Sequence, residues 1–166
     1  MTDATSGNPY GTPTTSGPQP TMSRQRTVDK AVRTLLRTPG LSKLIGSRLL
    51  TLRLVGRKTG KHYEIPVAYT RHGDHLLIGT RQWPWVKNVK PGTPIDVSMG
   101  GKPQPYDPIV HTGEAEVMRL FEIVAKDNRK NAEFNGIGYN ADGTPNKADL
   151  YQTWKQGGVV IELTPR

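Results

Sequence analysis

Between two runs of alternating apolar side chains lies the turn Gly56-Arg57-Lys58-Thr59-Gly60-Lys61, which carries three cations, one hydroxyl and no acid. A glycine-bounded turn of this make-up can aim backbone N–H groups, a hydroxyl and positive charge at a single phosphate or carboxylate. The same residues also fit an ordinary solvated hairpin tip, where the glycines only supply a positive φ. Arg81, at the end of a later apolar run, adds a further cation, and Trp83-Pro84-Trp85 follows it directly. His72 and His75 have the chemistry of metal ligands. No third ligand at metal-site spacing accompanies them, so they read as turn and surface residues and no metal site is expected. The chain has no cysteine, which excludes disulfides, thiolate metal sites and cysteine nucleophiles. No catalytic dyad stands out.

Positioning these residues requires strands. Leu50, Leu52 and Leu54 alternate with Thr51, Arg53 and Val55, the period of a half-buried strand over Leu49–Val55. Tyr63 to Arg71 alternates again, which makes the basic turn a hairpin loop. After the tight turn His72-Gly73-Asp74, the run His75 to Thr80 is almost continuously apolar and suits a strand buried on both faces. Pro84 fits the first turn of a short helix over Trp85–Val89, stopped by Pro91-Gly92. Ile95, Val97 and Met99 form a fourth strand. Lys102 to Thr112 is rich in proline and reads as an edge or irregular strand. Gly113 to Asn131 is a helix with Val117, Leu120, Phe121 and Val124 inward, Gly136 to Asp149 a long polar loop, and Val159, Ile161 and Leu163 a last strand. The fold class is mainly β (α+β): about six antiparallel strands in a small, partly open barrel with peripheral helices.

Composition sets further bounds. The 166 residues predict one domain, 24–166, preceded by a disordered tail, 1–23, made of Thr, Ser, Gly and Pro. Two short helices, Thr27–Arg37 and Leu41–Arg48, open the domain. Val28, Val32, Leu35 and Leu36 line one face of the first, beside Lys30, Arg33 and Arg37. Such a face can pack on the domain, cover a pocket or lie on an anionic membrane surface. The net charge is +9, from 23 basic and 14 acidic residues, and Asp29 is the one acid between Arg24 and Tyr63. An anionic partner follows. Basic charge near Trp83 and Trp85 would also suit single-stranded nucleic acid, but no recognised nucleic-acid motif is present and none is expected to bind. Without a long apolar run or a secretory leader, a cytoplasmic location is expected.

The order of motifs resembles a known family. LRLVGRKTGKHYEIPVAY (52–69), LLIGTR (76–81) and WPWVKNV (83–89), followed by Pro94-Ile95-Asp96-Val97, are similar to the deazaflavin-dependent nitroreductases. These relate to the flavin-binding split β-barrels and use the deazaflavin coenzyme F-420 to reduce quinones and nitro compounds. Gly56, Arg57, Lys58, Thr59, Gly60, Pro66 and Val67 match the family's characteristic phrase. The resemblance implies that Arg57, Lys58 and Thr59, in the turn completed by Gly60 and Lys61, hold the coenzyme's phosphate and glutamate tail. It implies that Gly79, Thr80 and Arg81 face the deazaflavin or its tail, and that Trp85 and Asn88 close the same site. Tyr151-Gln152-Thr153-Trp154 resembles the aromatic stretch lining the substrate pocket, and Tyr139 and Tyr151 are the candidates for hydrogen-bond or proton donation to the acceptor. Tyr63 stands where relatives often carry arginine, and Val86 where many carry an aromatic residue. Implied partners are a quinone or nitro-aromatic acceptor; a monomer or a homodimer is expected. FMN on the same barrel is the alternative cofactor, and a non-catalytic carrier of coenzyme or lipid the alternative role.

Overall fold

The computed structural model of the chain describes residues 7–18 and 48–166. The expected helix over 27–37, with the apolar face that could meet a membrane, and all of the expected helix over 41–48 except Arg48 lie outside the described residues. Seven strands form one antiparallel sheet: β1 (Leu49–Val55), β2 (His62–Ala68), β3 (Thr70–His72), β4 (His75–Arg81), β5 (Ile95–Ser98), β6 (Gln104–His111) and β7 (Gly158–Pro165). Their spatial order is β2-β1-β5-β6-β7-β4-β3. The sheet curls until β2 approaches β4, giving the split-barrel form expected. The strand anticipated over 63–71 is two strands, broken at Tyr69, which accounts for the seventh.

Alternation on β1 works as its sequence dictates. Leu50, Leu52 and Leu54 are buried, while Arg53 and Val55 face outward. The inward leucines join Leu76, Ile78, Ile95, Val97, Val159, Ile161 and Leu163 in the barrel core. Strands β4 and β7 are covered on both sides. Leu77 and Val160 point away from the barrel into a second core, made with Val117, Leu120, Phe121 and Val124 of helix α1 (Glu114–Asp127). Each such side chain contributes about 1.5–3 kcal/mol on burial, so this two-faced wall is the most heavily stabilised part of the sheet.

Three differences from the sequence reading have physical causes. First, β6 is an interior strand, not an edge, despite Pro105 and Pro108. The Pro105 carbonyl accepts from the Arg166 N–H, so residues 105, 107, 109 and 111 bond toward β7 and Pro108 faces the other way. On that side β5 begins at Ile95, opposite Tyr106, so nothing there needs the N–H that Pro108 lacks. Second, the helix over 113–131 is two. It stops at Asn128, whose side chain caps helix α2 (Arg129–Phe134) by accepting from Asn131 N–H at 3.1 Å. Third, the polar loop ends sooner than expected, in helix α3 (Lys147–Lys155), which the sequence reading missed. Its signal was Asn146 followed three residues later by an acid; the Asn146 side chain accepts from Asp149 N–H at 3.1 Å.

The segment 7–18 also departs from the expected tail. It lacks large aliphatic side chains, yet it lies along α3, held by a buried carboxylate. Asp149, with no exposed surface, accepts from Thr14 N–H at 2.7 Å, Thr14 hydroxyl at 2.5 Å, Thr15 N–H at 3.3 Å and Gly138 N–H at 2.9 Å. Gln152 donates to the Thr15 carbonyl at 3.0 Å, and the Tyr10 ring rests on Tyr151. The attachment is polar and long-range, which hydrophobic pattern reading does not register.

On the helical side of the sheet, Glu162 of β7 joins its two neighbouring strands. It accepts from His75 Nδ1 of β4 at 2.6 Å and His111 Nε2 of β6 at 2.7 Å. Burial alone would raise the Glu162 pKa, but the two hydrogen bonds and the attraction of the histidines outweigh it and hold the carboxyl below its ordinary 4.5.

Two consequences are measurable. Asp149→Ala leaves four donors without their acceptor and should cost about 3 kcal/mol in urea unfolding, with amide exchange in 7–18 and 136–149 accelerated ahead of the rest. For Glu162, a folded pKa below the unfolded 4.5 means its contribution is complete above that value and lost as pH falls through the folded one. The acid limb of the stability–pH curve should therefore be shallower in Glu162→Gln than in the parent.

Candidate functional site

The register of β1 with β2 ends at Val55 opposite His62, leaving the basic turn as the hairpin loop. The loop orders itself. Gly56 N–H donates to the Lys61 carbonyl at 2.7 Å and Gly60 N–H to the Gly56 carbonyl at 2.9 Å. Gly60 sits at φ +68°, a conformation that a side chain would strain. Lys61 N–H donates to the Thr59 hydroxyl oxygen at 3.3 Å, which leaves the Thr59 hydroxyl proton without an acceptor among the described residues. Arg57, Lys58 and Lys61 are exposed, and among the described residues none pairs with a carboxylate. The N–H groups of Lys58 and Thr59 likewise have no partner there.

A short 3-10 helix, Pro84–Asn88, seals the barrel end beside this turn. Val86 and Val89 are buried in the barrel core, with Trp83 and Trp85 packed partly against it. Asn88 reaches from this helix to the turn, its Oδ1 accepting from Arg57 N–H at 3.0 Å. The turn and the helix thus come together although Arg57 and Asn88 are 31 positions apart in sequence.

Strand parity divides the LIGTR stretch. Thr80 pairs with Val159 and Ile78 with Ile161, on the barrel side, while Gly79 pairs with Val160 on the helical side. A Cβ at Gly79 would lie 2.6 Å from the Phe121 ring. Packing against α1 therefore explains this glycine without a ligand. Arg81, at the end of β4, stacks on the Trp83 ring at 4.8 Å from its centre, and burial lowers its pKa from the ordinary value. Trp83 was not among the residues singled out for the site; its place directly after a cation at a strand end was the available signal.

Tyr139 and Tyr151 lie elsewhere. Tyr139 packs on the second core, across the sheet from the 3-10 helix, and its hydroxyl donates to the Ala125 carbonyl at 2.6 Å with Arg129 stacked 4.2 Å from the ring centre. Burial raises its pKa above the ordinary value, against the pull of Arg129. Tyr151 lies on α3 between Tyr10 and Trp154. Neither is brought to the basic turn. Among the described residues no group of three metal-ligating side chains has a geometry for a metal ion, and His75 is bound to Glu162 instead. No described helix is long and apolar enough to cross a membrane. Two open concavities, of about 460 and 330 Å³, lie by Tyr10, Glu114, Met118 and Lys147, and by Thr51, Arg53, Glu64 and Ser98; neither includes the turn.

A family model for F-420H(2)-dependent quinone reductase matches residues 24–136. The chain belongs to that family. The match spans the basic turn, the LIGTR strand end and the tryptophan helix, and it makes this a split-barrel protein of an oxidoreductase family tied to the deazaflavin coenzyme. Among solved structures, a conserved hypothetical protein from Mycobacterium tuberculosis is similar, with 10% identity and a TM-score of 0.50 over 90% of this chain and 85% of that one. A structure described as a domain-swapped dimer gives 16% identity and a TM-score of 0.49 over 82% and 96%. HutZ, the heme storage protein from Vibrio cholerae, gives 8% and 0.49 over 84% and 90%. At 10% identity, the likeness to the Mycobacterium tuberculosis protein speaks to the fold alone. No match was found among curated proteins.

Proposed function

We propose that the protein is a coenzyme F-420-dependent oxidoreductase whose Gly56–Lys61 turn holds the anionic tail of the coenzyme, with a quinone or nitro-aromatic compound as acceptor. One observation carries this reading: an internally ordered turn presents Arg57, Lys58 and Lys61 with no acid paired to them among the described residues, together with the Thr59 hydroxyl, whose proton has no acceptor there. The donor set fits the group. The coenzyme's tail is polyanionic, and charge-assisted hydrogen bonds to phosphate or carboxylate are the strong ones.

When bound, the deazaflavin supplies two-electron hydride chemistry. The chain's own residues bind and orient. Arg57, Lys58 and Lys61 attract and neutralise the tail, Thr59 donates to it, and the N–H groups of Lys58 and Thr59 add neutral donors. Trp83 and Trp85, half-buried beside the barrel core, offer flat apolar surface beside which a planar ring system can sit. Thr80, on the barrel face of β4, is the hydroxyl nearest in sequence to that surface. Tyr139 has no part in this proposal, because its hydroxyl proton is committed to Ala125 on the other side of the sheet.

Oxidised F-420 should bind with micromolar affinity or better, about 8 kcal/mol, and FMN more weakly, in parallel fluorescence titrations. Tighter binding of FMN would reverse the cofactor assignment. Lys58→Ala should weaken F-420 binding about tenfold or more, the equivalent of one charge-assisted contact at roughly 1.5–3 kcal/mol. An unchanged dissociation constant in that variant would leave the turn a mere hairpin tip.

A further inference from the structure

Asn88 stands between two parts of the site that are otherwise tied separately. The 3-10 helix is anchored by Val86 and Val89 in the barrel core, and the basic turn by its own backbone bonds. The side-chain link between them is the 3.0 Å hydrogen bond from Arg57 N–H to Asn88 Oδ1. Because a backbone N–H is an obligate donor, the amide must present its oxygen there. The Asn88 oxygen is therefore engaged by the protein itself.

We propose that Asn88 is a positioning residue that couples anion occupancy of the turn to the placement of the Trp83–Trp85 segment. The inference rests on the turn being an anion site, as proposed above. An anion drawn to the Lys58 and Thr59 N–H groups and to the Arg57 and Lys58 side chains pulls on the same peptide units whose neighbour, Arg57 N–H, is held by Asn88. Movement of the turn is passed through that bond to the C-terminal end of the 3-10 helix, three residues from Trp85. In the other direction, a Trp segment seated against a ring system holds the turn in the shape that receives the tail. Binding at the two ends of one ligand then becomes mutually reinforcing, as linkage requires.

The test uses inorganic pyrophosphate as a stand-in for the tail and a single-tryptophan protein, Trp83→Phe with Trp154→Phe, so that Trp85 alone reports. Removing Trp83 also removes any signal passed through its stacking with Arg81. In this background pyrophosphate should change Trp85 emission, with a midpoint equal to the dissociation constant from calorimetry. Asn88→Ala should keep binding, weakened about three- to tenfold as for one lost hydrogen bond, but lose the emission change. Asn88→Asp keeps an acceptor for Arg57 N–H; the emission change should return at saturating anion, and the Arg57 amide proton should regain its hydrogen-bonded shift. An Asn88→Ala protein with the full emission change would overturn the coupling while leaving the anion site intact. Pyrophosphate binding that is undetectable in the parent, or indifferent to Lys58→Ala, would overturn the anion reading and the coupling together.

Discussion

Strands β4 and β7 are buried on both faces, and the rest of the described structure is placed relative to that wall. On one face Leu76, Ile78, Val159, Ile161 and Leu163 fill the barrel; on the other Leu77 and Val160 meet α1. The apolar surface removed from water on both sides makes the pair rigid. Gly79 records the closeness of the second contact, since its missing side chain is what lets the Phe121 ring approach. Glu162 secures the same wall by polar means, accepting from a histidine on each neighbouring strand.

A wall with distinct faces separates two groups of side chains. The end of β4 leads straight into Arg81, Trp83 and the 3-10 helix, which closes over the barrel core and meets the basic turn through Asn88. The helical face carries the other aromatic group, Tyr139, Tyr151 and Trp154, in packing and hydrogen bonds of its own. Trp154 Nε1–H, for example, donates to the Thr112 carbonyl at 3.0 Å, tying α3 to the loop before α1. The resemblance linked the Tyr151–Trp154 stretch to a substrate pocket, and Tyr139 was a candidate from its own chemistry; both lie on the helical face of the sheet, away from the basic turn.

The N-terminal strap shows the same separation of forces. Residues 7–18 have little to bury, so their attachment depends on a desolvated carboxylate whose acceptor capacity is filled by Thr14, Thr15 and Gly138. A buried acid without those donors would be costly; with them it becomes the point where three separate stretches of chain meet.

Local pattern located most of the strands, because side-chain alternation reports directly on which face is buried, though not the break at Tyr69 or the interior place of β6. The β1 limits, the hairpin loop, the two-faced burial of β4, the 3-10 helix behind Pro84 and the inward face of α1 were all legible in this way. So was the basic turn, since uncompensated charge between glycines is a composition that survives in one dimension, and the motif order around it was specific enough to identify the family. Pairing decided the rest. The neutral setting of Pro108 depends on where β5 starts, the capped break at Asn128 and the capped start at Asn146 on single side-chain hydrogen bonds, and the strap on a carboxylate some 135 residues away in sequence. The link from Asn88 to Arg57 is of the same kind: each residue was marked as a binding candidate in its own right, and only folding shows that one is spent on holding the other. Hydrogen bonds between distant residues leave no periodic trace in a sequence, so tertiary structure alone could supply them.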